Sequence, residues 1–288
     1  MTLRSYLYAP GNRPELFAKA VNSGADGVIL DLEDSVLPDE KTAAIQHVVD
    51  YLADRETSPT DPQIWVRVNN RPGLLEDELV ALAGLARLTG ISLPKVEGAA
   101  VLDRVNQLLP ERVGVLALIE SAIGVTVVAQ IANHHRVHRL GLGEADLIAD
   151  LKMSPSPERV ELMPIRVSLV VASAAARVDQ PVGPAFLDVR DQHGLEHSCK
   201  QLRRLGFGGR SAVHPKQVEV INRAFTPTES EIEQAEGLIR SLAGSSERES
   251  AVFVDSHGMM VDEAVVRSAR HILDVATRLG QRERGMSD

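Results

Sequence analysis

Eight short runs of apolar and β-branched residues recur along the chain, at 5–9, 27–30, 64–68, 90–93, 113–119, 138–142, 185–189 and 209–213. The intervals between them read as helices with apolar residues at helical spacing. The run at 27–30 is continuous rather than alternating, as expected of a parallel strand covered on both faces. Near the end of each run stands a polar or charged residue. In order these are Asn12; Asp31 with Glu33 and Asp34; Arg67 and Asn69; Lys95; Glu120; Asp146; Asp188; and His214. Eight strands separated by helices predict an α/β fold of the TIM (β/α)8 barrel type, in which catalytic groups sit at the C-terminal strand ends. A string of carboxylates there, with one arginine among them, points to a cation-dependent enzyme acting on an anionic substrate.

The barrel accounts for residues 1–225. Residues 226–288 remain as a C-terminal helical extension, read as a lid or arm. Thr228 and Glu231 have the spacing of a capping box, so a helix is predicted to start there. Residues 244–250 are polar and rich in glycine and serine, which marks a linker, and a helix is predicted over 262–279. Lys and Arg total 31 against 40 Asp and Glu. That balance argues against nucleic acid or an anionic membrane as the main partner. The sole cysteine, Cys199, has no internal partner and fits a reducing compartment. No apolar stretch is long enough to span a membrane. The expectation is a cytoplasmic enzyme.

Glu120 and Asp146 are the candidate metal ligands. Each follows an apolar run, on strands predicted to be neighbours, and two carboxylates completed by water and substrate oxygens suit Mg2+, with Mn2+ as the alternative. An acid after a strand can instead cap the next helix. Asp31, Glu33 and Asp34 crowd three acids into four residues and need a cation or an arginine to offset them. Arg67, flanked by Val66 and Val68, needs a partner: that acidic cluster or a substrate carboxylate. Arg4, Arg13 and Lys95 are candidate contacts to a phosphate or carboxylate, and equally plain surface charges.

Other signals carry less. Gly141-Leu142-Gly143-Glu144-Ala145-Asp146 follows a strand like a dinucleotide fingerprint, but Asp146 stands at the third glycine position and would repel a pyrophosphate. Phe207-Gly208-Gly209-Arg210 precedes a strand and so falls on the non-catalytic end of a barrel. His134, His135 and His138 fall near a strand start and read as surface histidines.

Taken together, these segments resemble the HpcH/HpaI aldolase/citrate lyase family, in its citrate lyase β-subunit-like branch. The carriers are Arg4-Ser5 through Pro10-Gly11, Val28 through Val36, Val66-Arg67-Val68-Asn69, Leu93-Pro94-Lys95 and Ala117 through Ser121. They continue with Gly143 through Leu147, Gly206-Phe207 through His214-Pro215, and Gly258-Met259-Met260-Val261-Asp262. The resemblance implies a Mg2+-dependent carbon–carbon lyase, with coenzyme A (CoA) as part of the substrate. Its substrates would be 3-hydroxyacyl thioesters such as citryl-, malyl- or citramalyl-CoA, split into acetyl-CoA and a 2-oxo acid. It implies a homotrimer or hexamer with lid exchange. By resemblance Glu120 and Asp146 bind the metal, Arg67 binds the oxo-acid or thioester oxygen, and Asp31, Glu33 and Asp34 support metal-bound water. Asp262 is the acid that a C-terminal lid carries into a neighbouring subunit's site.

Two departures sharpen the expectation. Asp34 stands where aldolases of free oxo acids carry a histidine, which favours the thioester branch. Leu151-Lys152 and a Ser/Pro-rich loop replace a Leu-Gly continuation, at a place that could alter the acyl pocket or the CoA contacts. A thioester hydrolase on the same scaffold, or a citrate lyase subunit acting on an acyl-carrier protein, remain the alternatives. A catalytically silent barrel is opposed by the presence of Glu120, Asp146, Arg67 and Asp262.

Overall fold

The structure is a computed structural model that describes residues 3–54, 61–244, 253–254 and 260–285. Eight parallel strands close into a barrel in sequence order, with the last pairing to the first. They are β1 (Ser5–Pro10), β2 (Gly27–Asp31), β3 (Gln63–Arg67), β4 (Gly90–Leu93), β5 (Gly114–Ile119), β6 (Val137–Leu142), β7 (Asp179–Gly183) and β8 (Gly209–Ala212). The predicted TIM barrel is therefore present.

The helices between them are α1 (Phe17–Val21), α2 (Lys41–Asp54), α3 (Leu74–Leu82), α4 (Ala99–Leu108), α5 (Ala122–Thr126) and α6 (Val128–Ala132). Then come α7 (Glu144–Asp150), α8 (Met163–Ala176), α9 (Gln192–Leu205) and α10 (Val218–Phe225). Among the described residues no helix is long and apolar enough to cross a membrane.

Successive side chains of a strand point to opposite faces, and this parity builds both the core and the site. Tyr6, Tyr8, Ile29, Trp65, Leu116, Leu118 and Val182 face inward and fill the barrel. Their neighbours Leu7, Val28, Leu30, Ile64, Val66, Val115 and Ala117 face the helices. Trp65 reaches the barrel centre because β4 begins with a glycine: a Cβ at Gly90 would stand 2.3 Å from its ring. Tyr6 meets Trp65 edge to face with centroids 5.9 Å apart. Continuing the same inward parity by two residues gives Asp31 after Ile29, Arg67 after Trp65 and Glu120 after Leu118. The apolar plug below thus dictates which residues rise into the mouth.

The seventh strand corrects the sequence reading. It is Asp179–Gly183, not the apolar run 185–189, where Leu187 and Val189 are exposed. The observed strand buries two side chains, Val182 and Pro181, and Pro181 has no N–H for the ladder. Its pairing to β6 shifts register between Arg139 and Gly141, which accommodates the proline. Asp188 accordingly ends no strand. It accepts hydrogen bonds from the backbone N–H groups of Arg190 and Asp191 and stays exposed.

Smaller differences follow the same logic. The apolar spacing over 74–88 outlasts its helix, since α3 ends at Leu82. The single helix expected at 124–133 is two short ones, broken at Val127. The long helix expected from 159 opens as a 3-10 turn, Val160–Leu162, before α8.

The described residues divide into two compact units, Leu3–Phe225 and a C-terminal unit that starts at Thr226. The second contains α11 (Glu229–Gly244), β9 (Phe253–Val254), β10 (Met260–Val261) and α12 (Glu263–Gly285). β9 and β10 pair antiparallel, and α11 packs on α12. The predicted capping box holds: Thr228 Oγ1 accepts from Glu231 N, while Glu231 Oε2 accepts from Thr228 N. The linker residues 245–250, with Val252 and the Gly258-Met259 part of the last motif, lie outside the described residues.

Candidate active site at the mouth of the barrel

Arg67 anchors the site. Its Nε and Nη2 donate to the two oxygens of Asp31 at 2.6 and 2.7 Å, a paired fork that fixes the guanidinium plane. Nη1 lies 2.9 Å from Glu33 Oε2 and 3.3 Å from Asp34 Oδ2. Beneath it lies the Tyr8 ring, 5.0 Å from the guanidinium carbon. Burial works against the Arg67 charge, but the bonds and charge of Asp31 outweigh it and raise its pKa. Burial also pushes the Asp31 carboxyl upward, and here the Arg67 bonds prevail and its pKa falls. Burial pushes the Tyr8 phenol up to about 12, so it stays protonated at neutral pH.

A second tier crosses from β2 to β5 and β6. Lys95 Nζ donates to Glu33 Oε1 at 2.7 Å and lies 4.0 Å from Glu120 Oε2 and 3.9 Å from Asp146 Oδ1. Glu120 is buried, and its Oε2 has no hydrogen-bond partner. Burial, the nearby Glu33 charge and Asp146 push its pKa up to about 7, with Lys95 opposing. Glu33 is raised as well, chiefly by burial, against the pull of Arg67 and Lys95.

Glycine at position 143 is what lets Glu120 lie as it does: a Cβ there would stand 2.4 Å from Glu120 Cγ. The glycine pattern 141–143 therefore has a packing role, and Asp146 follows on the first turns of α7. Ser121 caps α5 by accepting from Gly124 N.

The loop carrying Glu33 is clamped from behind. Lys41 Nζ donates to the carbonyls of Leu32 and Glu33, both at 2.6 Å. Asn69 Nδ2 donates to Leu32 O and to Glu78. Glu78 is itself buried, and that burial pushes its pKa up to about 7.

Tyr8, Asp31, Asp34, Arg67, Glu120 and Asp146 line a cavity of about 610 Å3 at the C-terminal end of the barrel, and Glu33 and Lys95 join this set through Arg67 and the two carboxylates. Of the predicted residues, Asp31, Glu33, Asp34, Arg67, Lys95, Glu120 and Asp146 come together there, with Asp34 largely exposed. Asp262 belongs to the C-terminal unit, where its Oδ1 accepts from Ala264 N and Val265 N at the start of α12. Arg4 is no substrate contact: its Nε donates to Asp26 at 2.8 Å, at the opposite end of the barrel. Arg13 is exposed and pairs with Glu15. His214 caps its own helical turn by accepting from Lys216 N.

Sequence reasoning missed Tyr8 and the buried Glu144, whose oxygens hold Arg159 at 2.8 Å and Arg166 at 2.7 Å. Arg159 lines the cavity beside Asp146. Tyr8 was legible from parity, two residues beyond the inward Tyr6. Nothing local to Arg159 announces a partner at position 144.

The donor set suits a hard cation. Glu120 and Asp146 offer oxygen only, and Glu120 Oε2 is a buried acceptor that takes no hydrogen bond, with Lys95 Nζ 4.0 Å away. Among the described residues no three His, Cys, Asp or Glu side chains group to enclose a metal. An ion held here would draw the rest of its shell from water and substrate, as Mg2+ usually does.

Fold and mouth together place the chain among (β/α)8-barrel proteins whose polar chemistry is gathered at the C-terminal strand ends. It belongs to the HpcH/HpaI aldolase/citrate lyase family, whose model matches residues 4–215. It is 30% identical to citrate lyase subunit beta of Leuconostoc mesenteroides subsp. cremoris, over 95% of this chain and 93% of that one. It is 33% identical to (3S)-malyl-CoA thioesterase of Cereibacter sphaeroides, over 94% of this chain and 93% of that one. Among solved structures, CitE of Mycobacterium tuberculosis in complex with magnesium, acetoacetate and coenzyme A superposes with a TM-score of 0.78. The two are 31% identical, covering 96% of this chain and 98% of the other.

Proposed function

We propose that this protein is a Mg2+-dependent enzyme of CoA thioesters, cleaving or forming the carbon–carbon bond of a 3-hydroxyacyl-CoA. The observation that carries this reading is the meeting of Glu120, Asp146 and Arg67 at one cavity, with Lys95 within 4.0 Å of both carboxylates and one Glu120 oxygen buried without a hydrogen bond. The relatives add support: one is a citrate lyase subunit beta, and the CitE structure is a complex with magnesium and coenzyme A.

In this reading Glu120 and Asp146 hold the ion. Bound there, Mg2+ supplies Lewis acidity that lowers the pKa of a substrate hydroxyl. Arg67, its plane fixed by Asp31, offers its outer N–H edge to the oxygen where charge develops, and needs no reorganisation to do so. Lys95 binds the carboxylate or thioester end of the substrate. Transfer of the hydroxyl proton to a base such as water breaks the carbon–carbon bond, giving the 2-oxo acid, and the bond's electron pair passes to the acetyl thioester. Asp262 is the proposed acid that protonates this carbanion, or the base that removes the same proton in the condensing direction, contributed within a homotrimer or hexamer. Glu33, tied to Lys95 and to Arg67, keeps both cations in register.

A second reading, hydrolysis of the thioester, is favoured by the 33% identity to a malyl-CoA thioesterase. Mass spectrometry of the purified protein with acetyl-CoA and glyoxylate, pyruvate or oxaloacetate, with and without Mg2+, separates the two. A Mg2+-dependent hydroxyacyl-CoA adduct is expected. Free CoA with no adduct at any time would establish hydrolysis instead.

A further inference from the structure

Among the described residues, four that carry side chains have positive φ: Lys95, Lys152, Arg159 and Arg177. Arg177 closes the end of α8, Lys152 follows the end of α7, and Arg159 opens the helical turn before α8. Lys95, with φ 50°, ends no helix; it lies in the loop between β4 and α4. Left-handed backbone crowds Cβ against the following carbonyl in any L-residue other than glycine. Such a conformation persists only where its surroundings fix it, and residues so held cluster at functional sites.

The fixing group is Asn70, just beyond the end of β3. Its Nδ2 donates to two successive carbonyls, Pro94 O at 2.9 Å and Lys95 O at 3.0 Å. A side-chain amide carries two N–H donors on one nitrogen, which is what two convergent carbonyls require. On the other side Val96 N donates to Leu118 O at 3.1 Å, so the loop is also gripped from β5. The outcome is that the Lys95 ammonium arrives 2.7 Å from Glu33 and within 4.0 Å of both Glu120 and Asp146.

We propose that Asn70 is a positioning residue: by clamping the Pro94 and Lys95 carbonyls it holds Lys95 in the left-handed conformation and aims its ammonium into the acidic mouth. Any effect on turnover rests on the functional reading above, whereas the placement of the ammonium does not, and it can be measured without substrate or metal. An aspartate at position 70 has the same shape and no donor, so it is the sharpest variant.

The test is trace acetylation of the full-length protein with acetic anhydride, read at Lys95 by peptide mass spectrometry and normalised to the exposed Lys19. An amine ion-paired with Glu33 reacts slowly, because the pair favours its protonated form. Asn70→Asp and Asn70→Ala are expected to raise Lys95 labelling about fivefold or more, as loss of that pair would. Glu33→Gln should raise it less, and adding Asn70→Ala to Glu33→Gln should raise it further, since the clamp also sets the approach of the ammonium to Glu120 and Asp146. Unchanged Lys95 labelling in a folded Asn70 variant, with or without a lowered melting temperature, would overturn the proposal and leave Asn70 a mere loop tie. Should Asn70→Ala not fold alone, it should fold in a Lys95→Gly background, because glycine needs no clamp to adopt positive φ; failure there too would overturn the proposal. If labelling responds as expected while Mg2+-dependent turnover is absent, only the functional reading fails.

Discussion

Two charged clusters, one at each end of the barrel, are satisfied in different ways. At the bottom, Arg4 and Asp26 satisfy one another through three hydrogen bonds of 2.8 to 3.0 Å. There too Arg139 donates to Leu3 O, Tyr6 Oη and Gln180 O while lying over the Tyr6 ring. At the mouth, three carboxylates share Lys95, and one oxygen of Glu120 is left without a partner. A buried charge fully paired supports a fold, while one left short of partners stores free energy that a ligand can recover. The contrast sets a pair that ties strands together at the bottom against a cluster at the mouth, the end where barrels carry their sites.

Substitutions at the two ends should therefore separate activity from stability. The largest expected effect is that of Glu120→Ala, which should weaken Mg2+ binding by more than the roughly 10–100-fold lost with an outer-sphere partner, and abolish turnover. Its stability without metal should stay within about 1 kcal/mol of the parent, or rise, because the carboxyl removed is buried, takes no hydrogen bond at Oε2 and has only a 4.0 Å approach to Lys95. Calorimetric Mg2+ titration and urea unfolding check both halves; retained affinity would remove Glu120 from the metal site.

Asp26→Ala is the mirror experiment. It strands Arg4 and should cost about 3–5 kcal/mol in urea unfolding, with turnover per folded molecule unchanged. A fall in turnover at full folding would erase the division between the ends.

The pH dependence comes next. With the Glu120 pKa near 7 in the folded chain and 4.5 as its ordinary value, the native state between those pH values holds a proton that the unfolded chain has released. Through this group the unfolding free energy of the metal-free protein should therefore fall as pH rises from about 4.5 to 7, by at most about 3 kcal/mol. Glu120→Gln, which cannot ionise, should remove that share of the slope and leave the share of Glu78, whose pKa burial also pushes up to about 7, and saturating Mg2+ should offset the Glu120 loss above pH 7. A slope equally steep in the variant would assign it to another group.

The smallest effect expected is that of Gly143→Ala, whose Cβ would displace the Glu120 side chain. About tenfold weaker Mg2+ affinity is expected, with little change in melting temperature.

Much of this was legible in the chain. The continuous apolar runs placed seven of the eight strands, and position after those runs gathered Asp31, Arg67, Lys95, Glu120 and Asp146 in advance. The seventh strand was not legible because its ladder depends on register with β6 rather than on its own hydrophobicity; Pro181 and Gln180 dilute the signal to a single Val182. The apolar run after it, 185–189, belongs to the rim of the cavity instead. Arg159 and Asn70 escaped for a related reason. Their meaning lies in partners fifteen to twenty-five residues away, and only the closed barrel brings those partners into reach.

Trp65 is the only tryptophan in the chain, and its indole lies buried at the barrel centre against Tyr6. Its fluorescence is thus a private reporter on residues 3–225, silent to melting of α11 and α12. Far-ultraviolet circular dichroism, by contrast, sees every helix. If the two signals part on titration with urea, the C-terminal unit comes undone on its own schedule, and the interval between the curves measures its independence.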